Sequence, residues 1–484
     1  MSRAEYWGHP FQDAGALARA IRSRAVTAEA VVERCLARIA ATQGTLNAYA
    51  TVCAEEARAA AREVDRRLAA GEEVGPLAGV PVSVKDILNT AGVRTMWGSR
   101  TMVANVPQDD AVAVQRLRTA GAIIVGKTTT PEFAYKLLTD SPVTGVTRNP
   151  WSLAHTPGGS SGGAAAAVAA GLGPIALATD AGASTRLPAA CCGVVGLKPT
   201  LGVLPHNQVP DAFNNFIHLG IIARSVADTA LALDALAGPH PSDPHSIAVP
   251  APRAREALAA PLHLAGRRIA WRPLLGNEHV DAEVRDRCRE ALDALAAQGA
   301  EIVEVDDAFE NVEPTWRTLQ QSNWAARFYA RLHEVQHELE PGFVEGIRAG
   351  GAYSGPQLLA AIYKRTAIFR AVQAWFDRFD FVATPTFSTP ALAIDHRVDQ
   401  PLVIGGREAG DLRVAWAPYL NVFNLTGHPA ISVPVGFSAS RLPIGLQLVA
   451  PWYADARLLA AAKIIEVARP WADRIPPHAP KETA

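Results

Sequence analysis

From Leu77 onward, short β-branched runs alternate with helical stretches, and a Gly or Pro stands at nearly every boundary. Residues 80–84 read as a strand. A helix through Thr119, capped by Asp109 or Asp110, stops at Gly121, and 123–125 follow as a buried strand. Ser160 or Ser161 opens an Ala-rich helix that ends at Gly171. Residues 175–178 return to strand, and a short helix is expected from about Ser184. Alternation of this kind places the chain in the α/β class, with helices packed on a buried sheet.

The flanking regions extend the pattern. The first 70 residues look helical. Thr27 is a cap for a segment through Ala41, with Val31, Val32, Cys35, Leu36 and Ile39 on one face, and a second helix over 54–70 ends at Gly71. Residues 268–271, 281–297 and 302–305 read as strand, helix, strand. Residues 312–379 are mostly helical and rich in aromatics, including Trp316, Trp324, Phe328, Tyr363 and Trp375. Strand character returns at 381–383 and 431–435, and 205–218 and 393–414 read as irregular loops. The 484 residues equal about three average domains. No repeat is visible, so one domain over 1–484 is expected, with N-terminal helices at 1–70, a core at 77–235 and a helical lobe inserted at 312–379.

Composition narrows the function classes. Hydrophobic residues make up 49% of the chain and charged residues 19%, enough for a large core. A net charge of −1 argues against nucleic acid as an obligatory partner. The five cysteines are irregularly spaced and form no C-x-x-C pair, so neither a disulfide framework nor a cysteine zinc site is expected. Cys191 and Cys192 read as small core residues. The N-terminus lacks the apolar run of a signal peptide, and the apolar stretch 164–177 is too short to span a bilayer. A cytoplasmic protein without membrane attachment is expected.

Four segments carry possible chemistry. GAIIVGKT at 121–128 fits the phosphate-binding pattern G-x-x-x-x-G-K-[ST], but the four middle residues are apolar and strand-like where that motif needs a flexible loop opening a helix. The better reading is a strand with Lys127 at its end. GGSSGG at 158–163 contains the nucleophile-elbow pattern G-x-S-x-G, yet WSLAHTP before it reads as a loop rather than the required strand. Four glycines around two serines imply unusual backbone geometry or close approach. In ATDAGASTRLP at 178–188 a strand runs into a turn of small residues, whose successive N–H groups can converge on an oxyanion; an ordinary N-cap serine is the alternative. In GVPVSVKD at 79–86, Lys85 lies in an apolar strand, where burial lowers a lysine pKa; a salt bridge to Asp86 is the alternative.

Together these segments resemble the amidase signature family. The matching stretches are GVPVSVKD at 79–86, VGKTTTPEFA at 125–134, TRNPW at 147–151, TPGGSSGGAAAAVAAG at 156–171, ATDAGASTRLPAACCGVVGLKPT at 178–200, NLTGHPAISVPVGF at 424–437 and PIGLQLVAP at 443–451. The resemblance implies a large mixed β-sheet flanked by helices. It implies Ser184 as nucleophile, Ser160 as a bridging serine held by a cis peptide bond, and Lys85 as general base. A free lysine, with a pKa near 10.4, would be only about 0.04% neutral at pH 7, so Lys85 has to be desolvated to serve. Ser160 can pass a proton between Ser184 and Lys85, because a hydroxyl both donates and accepts. The oxyanion would rest on the N–H groups of Ala181, Gly182, Ala183 and Ser184. Asp180 and Arg186 would hold the turn as an ion pair, and Ser161 would hydrogen-bond Lys85. Where the family usually carries glycines, this chain has Ala183 before the serine, and Thr185 follows it. If Ala183 needs a positive φ, alanine costs about 1 kcal/mol.

The resemblance also sets the alternatives. Family members include free amidases and the glutaminase subunit of a tRNA-dependent amidotransferase, which holds its substrate's amino group with an acidic residue. Here Trp416-Ala-Pro-Tyr419 offers no carboxylate, and Asp411 is the nearest. A free amidase acting on an apolar or aryl amide, or on a carbamate (urethane), is therefore expected, with Phe213 and Phe216 near the mouth. No cofactor and no metal enter this cycle, and the partner is the small-molecule substrate. The chain would act as a monomer or homodimer. A non-catalytic binding protein on the same scaffold is the third alternative, motivated by Ala183.

Overall fold

The β-branched runs assemble edge to edge. The computed structural model describes residues 11–480. In chain order the strands are β1 (Tyr49–Val52), β2 (Pro81–Lys85), β3 (Ile123–Thr128), β4 (Asp140–Ser141), β5 (Gly145–Val146), β6 (Ile175–Asp180), β7 (Val195–Lys198) and β8 (His218–Ala223). They continue as β9 (Arg268–Trp271), β10 (Glu301–Glu304), β11 (Phe381–Pro385), β12 (Leu402–Ile404), β13 (Arg407–Gly410), β14 (Ala430–Phe437) and β15 (Pro443–Val449). Eleven of them form one mixed sheet in the order β1-β3-β2-β6-β8-β7-β14-β15-β11-β9-β10. The fold class is thus the large mixed sheet with flanking helices. Strands β4 and β5, and β12 and β13, form two small separate hairpins.

The central strands are buried on both faces, and for that reason they read as apolar runs rather than alternating ones. Strand β2 lies parallel to both β3 and β6, so its carboxyl end and that of β6 open on the same edge of the sheet. Crevices beyond carboxyl ends of parallel strands are natural ligand sites. Helix Arg186–Cys192 sits close on neighbouring strands because glycine is present beneath it. A Cβ at Gly196, Gly220 or Gly445 would run into Ala189, Thr185 or Ala190 respectively.

The expected helices are present with shifted ends. Thr27 accepts a hydrogen bond from Ala30 N–H and caps Ala28–Leu46, and Ala54–Ala69 follows β1. Of the N-terminal helices expected over 1–70, residues 1–10 lie outside the described part. Asp110 does not cap Val112–Thr119. Its carboxylate instead accepts from Ala91 N–H and pairs with Arg118. Between β10 and β11 the chain runs through helices Glu313–Phe328, Leu332–Val335, Pro341–Ala352 and Gly355–Gln373. Trp324, Phe328 and Phe343 pack there around Phe133. The loop expected at 393–414 instead holds the β12–β13 hairpin and helix Leu412–Trp416. His218, placed at the end of an irregular loop, begins β8. Among the described residues no helix is long and apolar enough to cross a membrane.

Candidate functional site

Lys85 ends β2, and Thr179 and Asp180 end the parallel neighbour β6. The Lys85 side chain is fully buried. Its Nζ donates to Ser160 Oγ at 2.6 Å and to Thr179 Oγ1 at 3.1 Å. Burial pushes the Lys85 pKa down to about 7, while the negative charge of Asp180 acts in the opposite direction. The Gly159–Ser160 peptide bond is cis. Ser160, like Lys85, has no exposed surface, whereas Ser184 keeps 7% of its surface accessible. Of Lys85, Ser160 and Ser184, only Ser184 keeps any exposed surface.

The two serine segments are joined through the backbone. Ser161 N–H donates to the Ser184 carbonyl at 3.2 Å, and Ser161 Oγ donates to the Thr179 carbonyl at 3.3 Å. The contact expected from Ser161 to Lys85 is therefore replaced. Ser161 faces the β6 backbone at the start of helix Gly162–Ala169, and the Thr179 hydroxyl takes the place beside the amine.

The turn after β6 is held from below. Asp180 and Arg186, both fully buried, form a two-point ion pair, with Nε to Oδ2 and Nη2 to Oδ1 each at 3.0 Å. Asp180 Oδ2 also accepts from Thr185 N–H at 3.1 Å. Burial by itself would raise the Asp180 pKa, but Arg186, Lys198 and Asn424 hold it well below the usual carboxylate range. Arg186 further donates to Asn424 Oδ1 at 2.6 Å and Gln447 Oε1 at 2.7 Å. With its base so fixed, the turn presents successive N–H groups. Among the described residues none accepts a hydrogen bond from the N–H of Ala181, Gly182, Ala183 or Ser184. Ala183 does not lie in the left-handed region, so the alanine there carries no such penalty.

On the outer side the turn meets helix Glu313–Phe328. Trp316 Nε1 donates to the Ala181 carbonyl at 2.7 Å, and the Arg413 guanidinium lies 3.7 Å from the Trp316 ring centroid. Buried Glu313 binds Arg413 and Arg317 through Oε1 and Asn421 through Oε2. Two acids and two arginines thus balance, because Asp411 pairs with Arg317 at 2.8 Å and caps helix Leu412–Trp416. The Trp416 and Tyr419 side chains are buried and donate to the carbonyls of Thr389 and Pro273.

Thr179, Asn424, Gln447 and Trp316 have no role assigned from the sequence. Asn424 and Gln447 stand inside the family-like stretches NLTGHP and PIGLQLV, so a signal existed for them. Trp316 had only its place among the helical aromatics. Phe216 is buried, and Phe213 is 80% exposed. All five cysteines are buried and free, as core residues would be.

The arrangement places a buried amine of near-neutral pKa on a buried hydroxyl. Beside that hydroxyl's segment stands a less buried serine, on a turn whose N–H groups from Ala181 to Ser184 find no acceptor among the described residues. Such a set suits nucleophilic attack on a carbonyl carbon. The amidase family model matches residues 30–459. An acylamidase of Rhodococcus erythropolis is 36% identical over 95% of this chain and 96% of that protein. The A-type subunit of the glutamyl-tRNA(Gln) amidotransferase of Acidothermus cellulolyticus is also 36% identical, over 93% of each chain. The crystal structure of a bacterial aryl acylamidase of the amidase signature enzymes superposes with a TM-score of 0.90 at 28% identity. It covers 98% of this chain and 99% of that one.

Proposed function

The chain belongs to the amidase signature family and is an amidohydrolase, and from that premise we propose that it splits the C–N bond of an apolar or aryl carboxamide through Ser184, Ser160 and Lys85. The observation that carries this reading is the buried Lys85 amine, 2.6 Å from Ser160 Oγ and with its pKa lowered to about 7. Neutral Lys85 takes a proton from Ser160 as Ser160 takes one from Ser184. The Ser184 oxygen then bonds to the carbonyl carbon, and the negative oxygen rests on the N–H groups of Ala181, Gly182 and Ala183. As the intermediate collapses, the C–N bond breaks and the nitrogen receives the proton back through Ser160. Water attacks the acyl-enzyme by the same relay. Asp180, Arg186 and Ser161 support the turn. A carbamate fits the same cycle, since it too carries an acyl C–N bond. We read the whole chain as a single amidase domain in which the helices of 312–379 form a lobe over a core at 77–235.

The substrate class is supported by the names of the acylamidase relatives and by the carboxylates near the turn, each already bound to an arginine. Screening aliphatic amides, anilides, carbamates and glutamine tests it. Anilide or carbamate turnover that is lost in Ser184→Ala is expected, and turnover of glutamine alone would overturn it. The glutaminase component of an amidotransferase is the second reading, favoured by an equal identity to such a protein. Against it stands the 416–419 segment, which carries no carboxylate for a substrate amino group. Ammonia release from glutamine together with co-purification of partner subunits would decide for it.

A further inference from the structure

We propose that Trp316 is a positioning residue for the oxyanion site. The inference rests on the reading of Ser184 as nucleophile. The Ala181–Gly182 peptide is trans, so its C=O and N–H point in opposite directions. Trp316 Nε1 grips the carbonyl of that unit at 2.7 Å. The Gly182 N–H is thereby turned away from Trp316, and no described residue accepts from it. A hydrogen bond at the carbonyl also polarises the amide and makes its N–H a better donor.

The grip is itself built. The Arg413 guanidinium lies over the indole, 3.7 Å from its ring centroid, and Arg413 Nε is fixed by buried Glu313 at 2.9 Å. Glu313 stands one helical turn before Trp316, so one helix supplies both the indole and the anchor of the guanidinium that covers it. Gly182 completes the fit. A Cβ there would lie 2.8 Å from Arg413 Nη2 and 3.0 Å from Trp316 Nε1, so only glycine lets the peptide reach the indole. The helix Glu313–Phe328 thus acts on the reacting carbonyl through one peptide unit, without touching it.

Trp316→Phe keeps an aromatic ring at the position and removes the donor. The readout is covalent labelling of Ser184 by a fluorophosphonate, whose phosphoryl oxygen needs the same donors as the substrate's carbonyl oxygen. Removing one oxyanion donor outright costs about 100-fold or more, so losing its anchor should slow the saturating labelling rate about tenfold. The half-saturating probe concentration should stay near wild type, while the melting temperature falls modestly because a buried ring is made smaller and a hydrogen bond is lost. An unchanged labelling rate in folded Trp316→Phe overturns the inference. So does a loss confined to half-saturation, since that would mean the indole only shapes the pocket. If Trp316→Phe does not fold, Arg413→Met carries the test with a slowing of about threefold, and an unchanged rate there overturns it equally. Wild-type protein that is not labelled at Ser184 would sink the catalytic reading instead, which separates the two failures.

Discussion

Lys85 and Lys127 stand on the adjacent parallel strands β2 and β3, and neither side chain reaches solvent. Their partners differ. Lys127 Nζ donates to the Leu88 carbonyl at 2.5 Å and to Thr95 Oγ1 at 2.7 Å, and it lies 4.0 Å from the Asp86 carboxylate. Burial lowers its pKa and raises that of Asp86, and the attraction between the two opposes both shifts. Lys85 has two hydroxyls and no carboxylate within hydrogen-bonding reach. Burial does not by itself make a lysine a base. Both amines are held below the usual lysine range by burial. What sets Lys85 apart is its neighbour: it hydrogen-bonds to Ser160, whereas Lys127 is enclosed by the Leu88 carbonyl, Thr95 and the Asp86 carboxylate.

Exchanging or removing these groups tests the contrast. Ser184→Ala should lower kcat at least about 10⁴-fold, and Lys85→Ala at least about 100-fold. Steady-state assays with both variants near wild-type turnover would end the catalytic reading. Lys127→Met should behave differently, destabilising the protein by about 3 kcal/mol in urea unfolding because Asp86 is left buried without its partner. The folded variant should keep kcat near wild type, and a large kcat loss at unchanged stability would erase the distinction between the two lysines.

Smaller effects follow from protonation. The base form of Lys85 is neutral, so kcat should rise as pH climbs through about 7 and level off above it. A flat profile from pH 5 to 9 would contradict this. Folded Lys85 binds fewer protons than unfolded Lys85 between about pH 7 and 10.4, so its contribution to stability increases as pH rises across that window. Thermal melts should show wild type gaining stability relative to Lys85→Met as pH rises across that window. Thr179→Val should have the least effect. Removing an acceptor of the ammonium form moves the acidic limb of the kcat profile to lower pH, with a plateau loss of less than about tenfold. A limb that moves to higher pH would mean that Thr179 does not favour the charged amine.

Much of the sheet was readable, and its gaps have a cause. Strands β2, β3, β6, β11 and β14 show as apolar or β-branched runs because both their faces are covered. Strands β7, β8 and β15 gave no strand signal, and each contains the glycine on which helix Arg186–Cys192 or its N-terminal residue rests. Glycine weakens a strand pattern, so packing at the site hid the very strands that support it. Strand β1 is short and lies at the sheet edge, between two helices. The irregular-looking 393–414 gave no period because its hairpin is short and stands apart from the eleven-stranded sheet, with only Leu402 and Ile404 of β12 reaching the core.

The sequence by itself determined the α/β class, the family resemblance, and Lys85, Ser160 and Ser184 as the groups to weigh, because each sits in a short motif whose residue types are unusual where they stand. Their surroundings were decided only by the tertiary structure. Arg186 meets Asn424 and Gln447 across separations of 238 and 261 residues, and Trp316 reaches Ala181 across 135. Such contacts follow from the order in which strands from both halves of the chain enter one sheet. Local periodicity does not encode that order, since it reports which face of a segment is buried and not what is buried against it.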